Sequence, residues 1–167
     1  MTAPARLAAA PAALWPAVGR AEVYAVLDGA RDRGISTLLG LWGLENACLH
    51  GEEISAGLRQ VAPFLVRLEA GQEMAGRLLD RVWGQSLGVF AVAPGGTGFR
   101  AMQHHCRRLL RVLDPAGSVL LFRYYDPRVL RVFMPTCTPG QRAELFGPAR
   151  RWVMEDAAGA AVTFEAG

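Results

Sequence analysis

Histidine and cysteine are the side chains of this sequence best suited to binding a metal. His104, His105 and Cys106 are consecutive, whereas Cys48 and His50 lie two positions apart. Zinc ligands are usually separated by about two to four residues, and adjacent residues of a helix point about 100° apart. Only a composite site that joins Cys48 and His50 to a helix histidine would therefore serve. We predict core or surface roles instead, with no metal and no cofactor.

A glycine-rich segment at residues 94–98 (PGGTG) lies between a predicted strand and a predicted helix. Loops at this position can cradle a phosphate, because the first N–H groups of a helix have no partner within it. The segment matches neither common phosphate-binding pattern, and the chain has no lysine to reach a phosphate. We therefore interpret it as a tight strand-to-helix turn.

Catalytic serine and carboxylate patterns are missing from the sequence. It contains no Gly-x-Ser-x-Gly elbow. The acidic pairs Glu52-Glu53 and Glu155-Asp156 are consecutive residues, which is typical of solvated charge and not of a catalytic dyad. The sequence thus predicts a protein that is not an enzyme.

Arginine and tyrosine are concentrated in residues 120–130 (LLFRYYDPRVL). The pattern predicts a strand over Ser118–Tyr125 that runs into a helix, with Asp126 as its N-cap and Pro127 at its first position. An alternation of two would place Arg123 and Tyr125 on one face and Tyr124 on the other.

The same segment is a candidate partner-binding surface. Arg128 and Arg131 are three residues apart and share a helix face, so they extend the cluster formed by Arg123, Tyr124 and Tyr125. Arginine and tyrosine are enriched at the centres of protein interfaces. A structural alternative is that Asp126 only caps the helix and that Arg123 pairs with a buried acid such as Asp28.

The elements that must position these residues alternate between strand and helix. Strands are predicted at Glu22–Gly29, Ala47–His50, Pro63–Leu68, Leu87–Ala93 and Ser118–Tyr125, with a terminal hairpin at 151–155 and 160–165. Helices are predicted at Ala30–Trp42 in part, Glu52–Gln60, Gln72–Val82, Phe99–Val112 with Thr97 as N-cap, after Asp126, and at Gly140–Phe146. The alternation predicts an α/β domain with a mixed β-sheet flanked by helices.

Length and composition favour one domain. The 167 residues are 51% hydrophobic and 20% charged, which is enough apolar surface for a core. We place this domain at residues 21–167 and expect residues 1–20, interrupted by Pro11 and Pro16, to be a loosely ordered tail; a cleaved signal peptide is the alternative. No window approaches the roughly 20 apolar residues of a membrane span, and the scattered cysteines suggest buried thiols in a reducing compartment.

All eighteen basic residues are arginine, and the net charge is +3. The arginines are interleaved with acids, so the pattern does not favour nucleic acid as a partner. The predicted helix Phe99–Val112 carries Arg100, Arg107, Arg108 and Arg111 on one face. This face is either solvated or a docking surface for an acidic partner.

Several segments together resemble a known bacterial family, the type VI secretion adaptor or effector-chaperone family (Tap or TEC proteins), first catalogued as a domain of unknown function. The resemblance spans roughly residues 22–156, and the string FRYYDPR is its most specific part. The matching segments are residues 23–30 (VYAVLDGA), 48–49 (CL), 62–66 (APFLV), the basic helix 103–113, 122–130 (FRYYDPRVL), 145–148 (LFGP) and Trp152.

The resemblance implies a cytoplasmic chaperone without catalytic residues. Such proteins bind a toxic effector and help to load it onto the VgrG spike or its PAAR cap, with no role for nucleic acid or membrane. Many members carry an extra C-terminal helical lobe, whose contacts a co-chaperone could supply here. An immunity protein that neutralises the toxin is the second interpretation, and a small enzyme is the third. If the motif residues are anchors, Arg128→Ala or Tyr125→Ala should weaken effector capture by a few kcal/mol.

Overall fold

The computed structural model describes residues 12–15 and 20–167, which form a sheet with helices on both faces. The sheet has the strand order β2-β3-β1-β4-β7-β8, and β5 and β6 pair separately as a hairpin. The strands are β1 (Ala21–Asp28), β2 (Asn46–Cys48), β3 (Pro63–Leu68), β4 (Gly88–Pro94), β5 (Arg111–Leu113), β6 (Val119–Leu121), β7 (Arg151–Glu155) and β8 (Ala161–Glu165). The helices are α1 (Ile35–Trp42), α2 (Ala56–Gln60), α3 (Glu73–Val82), α4 (Phe99–Leu109), α5 (Pro127–Phe133) and α6 (Pro139–Phe146), and Met134–Thr136 form a 3₁₀ turn.

The α/β class predicted from the sequence is confirmed, whereas the strand directions differ from the predicted mixed sheet. Every pairing in the main sheet is antiparallel. β3 and β4 are parallel to each other and joined by α3, as alternating elements suggest. However, β1 lies between them and pairs with both in the antiparallel direction. An alternating sequence pattern does not reveal this insertion.

Two apolar cores lie on the two faces of the sheet. β1 illustrates the division: Val23, Ala25 and Leu27 belong to the core under α1 and α3, whereas Tyr24 and Val26 belong to the core under α4, α5 and α6. Strands that are buried on both faces consist of near-continuous apolar residues. This explains why the first, third and fourth predicted strands agree closely with β1, β3 and β4.

The segment after α4 departs most from the prediction. The helix ends at Leu109 instead of Val112, and the strand predicted over Ser118–Tyr125 is limited to Val119–Leu121. The main-chain N–H of Phe122 donates to the carbonyl of Leu110 (2.8 Å), which closes a hairpin across the predicted turn at residues 114–117. The following tyrosines then turn into the core, because burial of their rings favours that path over a longer strand.

The predictions for the two ends of the chain have different outcomes. The predicted terminal hairpin is confirmed as β7 and β8. Within the predicted loose tail, residues 1–11 and 16–19 lie outside the described residues, whereas Leu14 is fully buried in the α1–α3 core. In the described part of the chain, no helix has the length and apolar character that a membrane span requires.

Candidate partner-binding surfaces

The tyrosines of the predicted binding motif lie inside the protein. Tyr124 is fully buried, its hydroxyl donates to the carbonyl of Cys106 (2.9 Å), and its ring meets Trp152 edge-on. Tyr125 is also buried and lies in the turn before α5. The predicted division of these residues between two faces of a strand is wrong, because they belong to no strand.

Arg123 pairs with a buried acid, as the structural alternative predicted. Its Nη2 lies 2.6 Å from Oδ2 of Asp28, which ends β1 and is almost completely buried. The other carboxylate oxygen of Asp28 accepts the N–H of Ala30 (2.9 Å). The hydrogen bond to Asp28 raises the pKa of Arg123, so this arginine stays charged. The pair joins the end of β1 to the turn before α5.

Asp126 is the N-cap of α5, and Pro127 is its first residue, as predicted. The Asp126 carboxylate accepts the main-chain N–H of Arg128 (2.9 Å). The Arg128 guanidinium also donates to both carboxylate oxygens, from Nε to Oδ1 (3.0 Å) and from Nη2 to Oδ2 (2.6 Å). Burial alone would raise the pKa of Asp126, but the bonds from Arg128 outweigh it and hold the pKa below the usual value. We call Asp28, Arg123, Tyr125, Asp126 and Arg128 the motif cluster.

The last predicted motif residue, Arg131, binds a different strand. Its Nη1 donates to the main-chain carbonyl of Glu155 (2.5 Å) at the end of β7. The Glu155 side chain is buried and accepts the N–H groups of Gly84 and Ser86. Most of the motif therefore fastens α5 to the sheet. That it also binds a partner stays a prediction, for which the half-exposed Arg123 and Arg128 offer the accessible surface.

The glycine-rich turn binds a carboxylate of the protein itself. The N–H groups of Gly96 and Gly98 donate to the two carboxylate oxygens of Glu22 (2.8 Å each), and Tyr24 donates to the same carboxylate (2.5 Å). Thr97 was expected to cap α4, but its hydroxyl donates to the carbonyl of Pro94 (2.7 Å), and Gly98 takes the cap position. The Glu22 carboxylate occupies the place where a phosphate would be held.

His50 and His104 line one groove, which is described below, but the histidine and cysteine candidates do not form a group of three ligands. Among residues 12–15 and 20–167, no three His, Cys, Asp or Glu side chains lie close enough together to hold a metal. Cys48 and Cys106 are buried thiols, as predicted, whereas Cys137 is only partly buried. His105 is buried and its ring Nε2 lies 3.1 Å from the carbonyl of Leu145, which fastens α4 to the end of α6. A side chain at Gly147 would collide with this imidazole ring.

The β5–β6 hairpin itself forms a second candidate surface, which was not predicted from the sequence. Its apolar side chains are strongly exposed, between 39% and 72%, and they are Val112, Leu113, Val119, Leu120 and Leu121. Apolar runs on both sides of a glycine-containing turn at residues 114–117 are a hairpin signal that could have revealed it. Contiguous apolar residues at the surface of a folded protein usually mark an interaction site.

A groove of about 530 Å³ separates this hairpin from α4. We call it the hairpin groove. Leu49 and Leu110, both buried, lie at its base, and Val119, Leu120 and Leu121 line one side. Its polar side chains are His50, His104, Arg107, Arg108 and Arg111, and no carboxylate of the described residues lines it. The groove therefore combines an apolar wall with positive charge.

The groove arginines lack the carboxylate partners that the motif arginines have. Within residues 12–15 and 20–167, no ion pair includes Arg107, Arg108 or Arg111. Arg107 donates to the carbonyl of Cys48 through Nη2 (3.0 Å), but its buried Nε has no acceptor among the described residues. Burial and then the charge of Arg111 lower the pKa of His50. Arginines without an internal carboxylate partner are suited to bind a negatively charged group.

Comparison with models of protein families gives a match. The model of the family described as "Domain of unknown function (DUF4123)" matches residues 23–144. The match includes α4, the hairpin, the motif cluster and most of α6. No curated protein and no solved structure matches the chain.

Proposed function

We propose a function from one premise: the chain belongs to the DUF4123 family, known as the effector chaperone and adaptor domain of type VI secretion. In this proposal the protein binds a toxic effector in the cytoplasm of the producing bacterium. It then helps to load the effector onto the VgrG spike or its PAAR cap. The family match is the observation that carries the proposal.

The surface of the molecule supports a role in binding. An isolated two-stranded hairpin is only marginally stable in water, and this one exposes five apolar side chains. Such a feature is costly for a protein that acts alone, since exposed apolar strands promote aggregation. A partner that covers the hairpin during part of the protein's life would explain its presence.

We also propose that the protein works without catalysis. A general acid or base needs a free polar atom directed at a substrate. The buried or half-buried carboxylates of Glu22, Asp28, Asp126 and Glu155 each accept hydrogen bonds from main-chain N–H groups or arginines. In this proposal these carboxylates therefore stabilise the fold and do not take part in catalysis.

Deletion of the gene in the producing bacterium, followed by measurement of secretion, tests this function. We expect secretion of the effector encoded at the same locus to stop, while an unrelated effector of the same bacterium is still secreted. Tagged chain should also recover that effector and VgrG from the cytoplasm. Normal secretion in the deletion strain would contradict the proposal.

An immunity protein would give a different result in the same strains. Deletion would then leave secretion intact and poison the producing cell, and the purified chain would inhibit the mature toxin domain. A chaperone is expected to bind outside that domain. Truncation of the effector therefore separates the two functions.

A further inference from the structure

The arginines of the hairpin groove point to the chemistry of its occupant. We infer that the groove binds an acidic segment of the effector whose apolar side chains pack on the β5–β6 hairpin and whose carboxylates reach Arg107, Arg108 and Arg111. The inference rests on the proposed function and deepens it. It assigns the binding site to a surface separate from the motif cluster.

Charge complementarity is the first argument for an acidic occupant. Five ionisable side chains line the groove, all of them arginine or histidine. Elsewhere in the described chain, arginines such as Arg81, Arg123 and Arg128 lie 2.6 Å from a carboxylate. The groove arginines have no such partner among the described residues, as is also true of dispersed exposed arginines such as Arg33 and Arg100, but only in the groove are three of them gathered beside an apolar wall. An ionised carboxylate is the ligand that fits the guanidinium fork.

The fixed orientation of Arg107 is the second argument. Its Nη2 donates to the carbonyl of Cys48 (3.0 Å), which holds the guanidinium in one orientation at the groove. A carboxylate from outside would therefore meet the charge of Arg107 without any movement of the side chain.

The apolar wall argues for a protein segment and against nucleic acid. Proteins that bind single strands stack bases on aromatic rings, and the side chains that line this groove, as far as the chain is described, include no aromatic residue. Leu120 and Leu121 instead offer aliphatic surface next to Arg111. An amphipathic segment with acidic and aliphatic residues matches both halves of the groove.

A second copy of this chain fits less well. In a two-fold dimer the same patch meets itself, so the arginines of one groove would face those of the other. Like charges opposed across an interface destabilise it. The occupant is thus expected to come from a different protein.

A photo-crosslinking experiment on the full chain tests the site. The photoreactive amino acid p-benzoylphenylalanine replaces Leu120 in the groove or, as a matched control, Leu41, which is exposed on α1 at the opposite face of the sheet. Each variant is co-expressed with the effector of the same locus. We expect crosslinks from position 120 only, to an effector segment rich in Asp, Glu and aliphatic residues.

Charge reversal supplies the quantitative measurement. Arg108→Glu combined with Arg111→Glu should weaken binding of the purified effector at least about 10-fold, and added salt should weaken wild-type binding. Arg33→Glu, an exposed arginine in the turn before α1, is the control and should leave binding unchanged. Thermal unfolding of each variant checks that it is folded.

The outcomes separate this inference from the proposed function. If wild type and the double variant bind the effector equally, or if crosslinks arise from position 41 alone, the groove inference is wrong and the chaperone function stands. Crosslinks at position 120 to a second copy or to nucleic acid would overturn it as well. If the wild-type chain does not bind the effector, both proposals fail.

Discussion

The motif cluster and the hairpin groove are both rich in arginine, but only the first is neutralised from within. Arg123 and Arg128 lie 2.6 Å from the carboxylates of Asp28 and Asp126, two almost completely buried residues. Arg107, Arg108 and Arg111 have no such partner in the described part of the chain. This difference indicates that arginines next to buried acids stabilise the fold, whereas arginines beside exposed leucines are available to bind a ligand.

Asp28→Ala should produce the largest effect, on stability. The substitution leaves the Arg123 guanidinium and the Ala30 N–H without their acceptor. We expect the free energy of unfolding to fall by about 3 kcal/mol, the lower end for a broken buried pair, because Arg123 is half exposed and can regain water. Urea unfolding measures the change. Arg108→Ala is the matched control and should stay within about 0.5 kcal/mol of wild type.

If the Asp28→Ala variant were as stable as wild type, the ion pairs of the motif arginines would not stabilise the fold, and the contrast between the two regions would be wrong. The contrast would also be wrong if Arg108→Ala lost as much stability as Asp28→Ala.

Leu113→Ser and Leu121→Ser should each reduce binding of the effector without reducing the stability of the folded protein. Both side chains are mostly exposed on the hairpin, so the folded protein loses little apolar contact. Each variant should bind the effector about 10-fold more weakly, which corresponds to about 1.4 kcal/mol. Calorimetric titration measures the affinity. Leu41→Ser is the control, and a comparable loss of affinity in that variant would argue against a specific role of the hairpin.

Asp126→Ala should have a smaller and pH-dependent effect. It removes the N-cap of α5 and the anchor of Arg128, which should lower the free energy of unfolding by about 1 kcal/mol at pH 7. The pKa of Asp126 is lowered in the folded protein, so its contribution is present above the ordinary value of 3.8 and is lost as the pH falls below it. The difference between variant and wild type should therefore shrink on acidification, and a constant difference would exclude an ionised cap.

The sequence predicted the main sheet well because its strands carry local signals. β3 matches its predicted bounds at both ends, since Pro63 opens it and apolar residues fill it to Leu68. The cap by Asp126 also follows from residue type and position, whereas the sequence offers the pair between Arg123 and Asp28 only as an alternative to partner binding. The strands and the cap depend on neighbours in the chain.

The hairpin groove could not be predicted in the same way. Whether Leu120 and Leu121 are buried depends on what packs above them, and apolar residues alone predict burial in either case. The path of the chain at Phe122 is decided by distant contacts, such as those of Tyr124 with Cys106 and Trp152. The antiparallel pairing of the main sheet likewise depends on where β1 inserts between β3 and β4.

His50 offers the most sensitive test of the groove, with the smallest expected effect. Burial and then the charge of Arg111 lower its pKa, because both disfavour the imidazolium. Arg111→Ala removes the repulsion, so the pKa of His50 should rise part of the way toward its ordinary value of 6.5. A bound acidic segment should raise it in wild type for the same electrostatic reason. Histidine proton shifts in an NMR titration report both changes.

His105 is the internal control for this titration. Its pKa is also lowered by burial, but the nearby charges are those of Arg108 and His104, not Arg111. It should therefore titrate alike in wild type and Arg111→Ala, while His50 shifts. Because a lowered histidine pKa weakens the fold as the pH drops through 6.5, Arg111→Ala should also be slightly less sensitive to acid. If His50 does not respond, the charge of Arg111 is not felt in the groove, and the contrast with the neutralised motif cluster loses its electrostatic basis.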